Sequence, residues 1–191
     1  NGEPLLVRME WVTASQFHPS GQMEVLREVS TRVQSVRALS GPSGGHPLVV
    51  LDLDSTLYEV APRTHRIVLE WAQSEESVPF GIIRERLKTL QEGELGYSLR
   101  DTFHTAGFSL DDPHVFRAWE AAKRFWVKRF FRSAYLKHDR PYPGASAFAV
   151  ELHKLGAEII YLTGRDEPNM GDGTRQNLLR DGFPWEMDRT H

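Results

Sequence analysis

Two aspartates one residue apart, Asp52 and Asp54, close the apolar run Leu48 to Leu53 and lead into a hydroxyl-bearing turn, Ser55-Thr56. Alternation along an extended segment puts both carboxyls on one side, with Leu53 pointing the other way. Two carboxylates so close repel each other unless a cation lies between them. A hard, oxygen-seeking ion such as Mg²⁺ suits the pair, which makes Asp52 and Asp54 candidate metal ligands. The plainer reading is a strand end whose aspartates only cap a turn. A second group of polar residues, Thr163-Gly164-Arg165-Asp166, follows another apolar run, Glu158 to Leu162. Its threonine hydroxyl and glycine amide can donate to an anionic oxygen, and glycine permits close backbone approach. Arg165 has two readings, a ligand for the substrate or a partner for Asp166.

The elements behind these residues follow from the same runs. Leu48 to Leu53 is nearly continuous, β-rich and too short for a helix, so it reads as a strand covered on both faces, the central strand of a parallel sheet. In such sheets reactive groups gather beyond the carboxyl ends of the strands, where both polar groups fall. Ala145 to Leu155 has helical composition, Gly156 is a natural stop, and Glu158 to Leu162 is the second strand.

Asp52-Leu53-Asp54-Ser55-Thr56-Leu57 resembles the first motif of the haloacid dehalogenase superfamily, a hydrophobic strand followed by D-x-D-x-T-L. Thr163 at the end of the second strand resembles its second motif. The resemblance implies an α/β fold: a Rossmann-like parallel sheet with an inserted all-helical cap. It also implies a Mg²⁺-dependent phosphatase in which Asp52 attacks phosphorus and Asp54 serves as general acid, then base. Thr163 and Gly164 would bind the phosphate, with Thr56 and Arg165 as lesser substrate contacts. The chemistry is sound on its own terms, because a carboxylate nucleophile splits hydrolysis into formation and breakdown of an aspartyl-phosphate. A second acid must then protonate the leaving oxygen. Carbon–halogen cleavers of the superfamily lack an acid at the second position, so Asp54 favours phosphoryl transfer. The alternative is a catalytically reduced module that binds a phosphate-bearing ligand or a protein.

With 191 residues, 40% of them hydrophobic, the chain can bury one sizeable core and a smaller satellite. The expected organisation is a helical prefix and linker over 1–47, a core over 48–58 and 141–191, and a helical cap over 59–140. A net charge of −3 gives no global attraction for nucleic acid or an anionic membrane, so a small substrate is the default, and the resemblance implies a phosphorylated one. Cysteine is absent, which excludes disulfides, zinc–thiolate sites and thiol nucleophiles. No run is long enough to span a membrane, and a cytoplasmic location is expected. In the prefix, Leu5 to Met9 reads as a strand, Gly21 to Leu39 as an amphipathic helix docking on its own domain, and Ser40 to Pro47 as linker.

Within the cap, helices are expected to start at Pro62 and at Pro79. A third covers Ser98 to Ala106, and a long aromatic and basic one runs from Asp112-Pro113 to Lys137. Basic residues among aromatics can mark a nucleic-acid surface. Recurrence of the aromatics at helix-packing intervals instead indicates a packed face opposite a solvated basic one. Glu167 to Gly173 reads as a loop before a helix over Thr174 to Arg180, and Phe183-Pro184-Trp185 as the approach to another strand. The superfamily's third and fourth motifs, a basic residue and an acidic pair, find no match in the sequence. The expectation is therefore that the natural protein continues past His191 with further strands beside Leu48 to Leu53.

Overall fold

The computed structural model describes residues 21–40 and 46–185. The strand expected within Leu5 to Met9 lies outside them. Strand β1, Leu48–Asp52, pairs in parallel with β4, Glu158–Leu162, in a register running from Leu48 opposite Glu158 to Asp52 opposite Leu162. These two strands form the whole of the parallel sheet among the described residues.

Alternation divides the sheet into two unlike faces. Val49, Leu51, Leu53, Ile159 and Tyr161 point toward helices α1 (Gln22–Ser40), α7 (Ala145–Lys154) and α8 (Glu167–Arg180). There Leu53, Ala149, Leu152 and Leu178 are fully buried. On the other face Leu48, Val50, Ile160 and Leu162 are exposed. This corrects the expectation of a central strand covered on both sides: no described element packs on that face, and none pairs with the far edge of β1. Helix α1 docks through Val33 and Val29, while Val25, Val36 and Leu39 of its apolar stripe stay exposed.

Between β2 (Tyr58–Glu59) and β3 (Arg140–Pro141) the chain builds a helical unit with its own core. Pro62 lies in the first turn of α2, Ala61–Gln73, whose buried face is Ile67, Val68, Trp71 and Ala72. Pro79 sits inside a 3₁₀ segment, Glu75–Phe80, and α3, Gly81–Lys88, begins only after it. A second short 3₁₀ segment, Glu92–Glu94, precedes α4. Helix α4, Leu99–Thr105, opens on a capping box between Ser98 and Asp101. In α5, Pro113–Phe130, Asp112 accepts from the amides of His114 (2.7 Å) and Val115 (3.4 Å). Its buried Val115, Ala118, Ala122 and Phe125 recur at helical spacing. Each large side chain so buried is worth roughly 1.5–3 kcal/mol. The helix ends at Phe130, well short of Lys137, and a separate turn, α6 (Ser133–Leu136), follows.

Besides the ion pairs that Arg63 and Asp139 make with Asp54 and Arg165, two sets of contacts join the helical unit to the sheet unit. The first is the antiparallel ribbon β2–β3, where Arg140 Nη2 donates to Glu59 Oε2 at 2.8 Å. The second is α6 against α8: Asn177 Nδ2 donates to the Leu136 carbonyl (2.8 Å), and the Gly173 amide to Ser133 Oγ (3.0 Å). A Cβ on Gly173 would lie 2.7 Å from the Ser133 carbonyl oxygen, so only glycine allows this approach. Helix α8 also corrects the expected loop: it is continuous from Glu167, with Asp166 Oδ2 accepting from the Asn169 amide at 3.1 Å. Phe183 and Trp185, read as the approach to another strand, pack beside Tyr161, and any strand after them lies outside the described residues. None of the described helices is long and apolar enough to cross a membrane.

Candidate active site

The carboxyl ends of β1 and β4 lie side by side, so Asp52 and the segment beginning at Thr163 meet at one edge of the sheet. Asp52 ends β1 with its side chain exposed, and its Oδ2 accepts from Thr56 Oγ1 at 2.7 Å. The turn that brings Thr56 back is tight. The amides of Leu57 (2.9 Å) and Tyr58 (2.8 Å) both donate to the Leu53 carbonyl, and Ser55 takes the left-handed conformation at φ 63°. Ser55 is the only non-glycine residue with positive φ among those described, a costly geometry that the surrounding hydrogen bonds hold in place.

Asp54 stands in a cluster of charges. Its Oδ1 accepts from Arg165 Nε at 3.0 Å, from Arg165 Nη2, and from Arg63 Nη2 at 3.3 Å. Both guanidiniums also hold Asp139. Arg63 Nε donates to its Oδ1 at 2.7 Å, Arg63 Nη2 to its Oδ2 at 2.6 Å, and Arg165 Nη2 to its Oδ2 at 2.8 Å. Arg63 and Asp139 are buried to the side chain, and Arg165 nearly so. Burial pushes the Asp139 carboxyl above the usual carboxylate range, while Arg63 and then Arg165 pull it back.

The arrangement corrects two expectations. Arg165 does not hold Asp166, which caps α8, and its guanidinium is too enclosed to meet a substrate directly. Two fixed guanidiniums set positive charge beside Asp54, while the Asp52 carboxylate stays open to solvent. Arg63 and Asp139 escape any reading of the sequence. They stand 76 residues apart, on α2 and just before β3, with no local pattern to connect them.

On the neighbouring strand, Thr163 Oγ1 accepts from the Arg165 amide at 3.2 Å, which leaves its hydroxyl hydrogen free to donate. Around Gly164 no protein atom would meet an added Cβ within 4 Å, so the backbone there faces open space. Exposed Asp52, the Thr163 hydroxyl and the Gly164 backbone thus line one edge, with Thr56 behind Asp52. Among the described residues no group of three or more His, Asp or Glu side chains could hold a metal ion. The oxygen donors present still fit Mg²⁺, which takes one or two carboxylates and keeps several waters. Asp52 presents such a carboxylate, whereas Asp54 offers its to arginines.

A family model described as a haloacid dehalogenase-like hydrolase matches residues 46–187. Neither a curated protein nor a solved structure matches the chain.

Proposed function

Because the chain belongs to the haloacid dehalogenase-like hydrolases, we propose that it is a phosphatase releasing phosphate from a small phosphorylated molecule through an aspartyl-phosphate on Asp52. The observation that carries this reading is the placement of Asp52. Of the two motif aspartates it is the more solvent-facing one, bound by no arginine among the described residues, and it stands at the strand end next to Thr163 and Gly164.

An Asp52 oxygen attacks phosphorus as the ester P–O bond breaks, and the leaving oxygen takes its proton from the Asp54 carboxyl. The Asp54 carboxylate then removes a proton from water, whose oxygen attacks phosphorus, and inorganic phosphate departs with Asp52 restored. Thr163 and Gly164 donate to the phosphate oxygens. Thr56 fixes the rotamer of Asp52 through its 2.7 Å hydrogen bond. Arg165 and Arg63 orient Asp54 and set a positive charge behind it. Mg²⁺, held by Asp52 with the Asp54 backbone carbonyl and waters, would neutralise charge on the phosphate oxygens. The helical unit acts as a cap above this edge.

One observation favours the alternative of a binding-only module: Asp54, the acid of the scheme, is tied down by two guanidiniums. Phosphate release from an aryl phosphate in the presence of Mg²⁺, abolished by chelation, separates the two. In the Asp52→Asn variant turnover should fall by roughly a thousandfold or more, since the amide is a poor nucleophile. Its melting temperature should be unchanged, because Asp52 is exposed. Unaltered turnover in that variant removes Asp52 from the nucleophile's role.

A further inference from the structure

A cavity of about 480 Å³ opens between the turn after Asp54 and the helical unit, well inside the ~300–1,000 Å³ span of small-ligand sites. Ser55 supplies its side toward Asp54, while Trp119 and Trp126 of α5 are walls. Tyr97, Arg100 and Lys123 also line it.

Three properties of this lining point to one kind of occupant. Its aromatic walls are fixed: Trp126 stacks on Phe130 with ring centroids 4.1 Å apart and donates Nε1 to Thr64 Oγ1 at 3.3 Å. Tyr97 is 100% exposed, although the loop that carries it is pinned. A Cβ at Gly96 would lie 2.3 Å from Asp101 Cβ, the Gly96 amide donates to Thr102 Oγ1 (3.1 Å), and Ser98 and Asp101 cap each other. A tyrosine on a pinned backbone and wholly outside the core has its ring available to something other than the core. Lys123 and Arg100 form no ion pair with a carboxylate among the described residues, and Lys123 Nζ stands 4.9 Å from the Trp119 ring centroid. Aromatic rings favour flat aromatic partners in stacked or edge-on contact, and unpaired cations favour π faces and anions.

We propose that this cavity receives a flat aromatic or heteroaromatic group of the phosphorylated substrate, with Tyr97 and Lys123 as its specificity-determining residues. The proposal rests on the reading of the Asp52 edge as the phosphate site. An aliphatic group would fill the same apolar volume without gaining the stacking. The aromatic group can be an aryl ring joined close to phosphorus or the base of a nucleoside monophosphate.

Calorimetric titration with Mg²⁺ present tests the proposal, using benzylphosphonate and butylphosphonate, neither of which can be hydrolysed at its P–C bond. Adenosine 5′-monophosphate is titrated into the Asp52→Asn protein. Benzylphosphonate should bind roughly three- to tenfold more tightly than butylphosphonate. That preference should collapse in Tyr97→Ala and shrink in Lys123→Gln, both exposed positions whose unchanged melting temperatures would certify folding. Tighter binding of the nucleotide than of benzylphosphonate identifies a nucleotide substrate, and the reverse an aryl ester. Equal affinity for the two phosphonates, with phosphate still released from aryl phosphate, overturns the aromatic site and leaves the phosphatase reading standing. Absence of binding by all three ligands together with absence of phosphate release overturns the phosphate site itself.

Discussion

Asp139 and Arg63, which belong to neither sequence motif, hold the site's buried charges together. A buried carboxylate that accepts from two guanidiniums is costly to assemble, yet far costlier to break, because removing one partner strands the others without water. Asp139→Asn should therefore cost about 3–5 kcal/mol in urea denaturation. Replacing the buried pair together, as Arg63→Met with Asp139→Leu, should cost less than Asp139→Asn alone. If the double variant is instead the weaker, the pair stabilises through attraction and not through mutual neutralisation. The same residues mark a limit of the sequence. Asp52, Asp54, Thr56, Thr163 and Gly164 announce themselves by spacing, because each motif is local to one strand end. Nothing local tells that a guanidinium from α2 will reach Asp54, or that Arg165 will turn to Asp54 and Asp139 in preference to its neighbour Asp166.

At the scale of elements, glycine is where the reading and the structure part. Gly171 and Gly173 read as helix breakers, which makes a loop the natural expectation for the segment before Thr174. In α8 they lie within the helix, and Gly173 serves to let the backbone of Ser133 come close. Gly173→Ala tests this. A solvent-facing alanine would stabilise a helix by about 1 kcal/mol over glycine, but here its Cβ meets a backbone oxygen and the net effect should be a loss of roughly 1–3 kcal/mol. Gly171→Ala is the control, since the atoms nearest the added methyl are those of the movable carboxylate end of Glu167. A Gly173→Ala protein with a raised melting temperature would refute the close dock. The other misread boundary has the same cause. Helix α5 contains no proline or glycine near its end to stop it, and it ends at Phe130 where the chain turns to bring Ser133 onto α8. Strands β1 and β4 and the helices between β2 and β3 are legible because apolar periodicity records them directly. The break and the dock are not, since both are decided by a contact between distant segments.

For the molecule as a whole, the helices between β2 and β3 bury a core of their own, separate from the two clusters under the sheet. What the sequence leaves open is the lateral extent of the sheet. An apolar strand announces that it is apolar, not which of its faces finds a neighbour. The exposed row of Leu48, Val50, Ile160 and Leu162, next to an edge of β1 with no described partner, has a consequence for handling the protein in the tube. Unpaired backbone groups and an adjoining apolar strip are what draw one sheet edge to another, and a net charge of only −3 opposes this weakly. Light scattering should show the 191-residue chain growing into larger particles as it is concentrated or as sulfate is added, and Val50→Lys should keep it dispersed. The two strands that carry the chemistry thus also set how the protein must be handled, because Asp52 stands on the same face of the sheet as the exposed Leu48 and Val50.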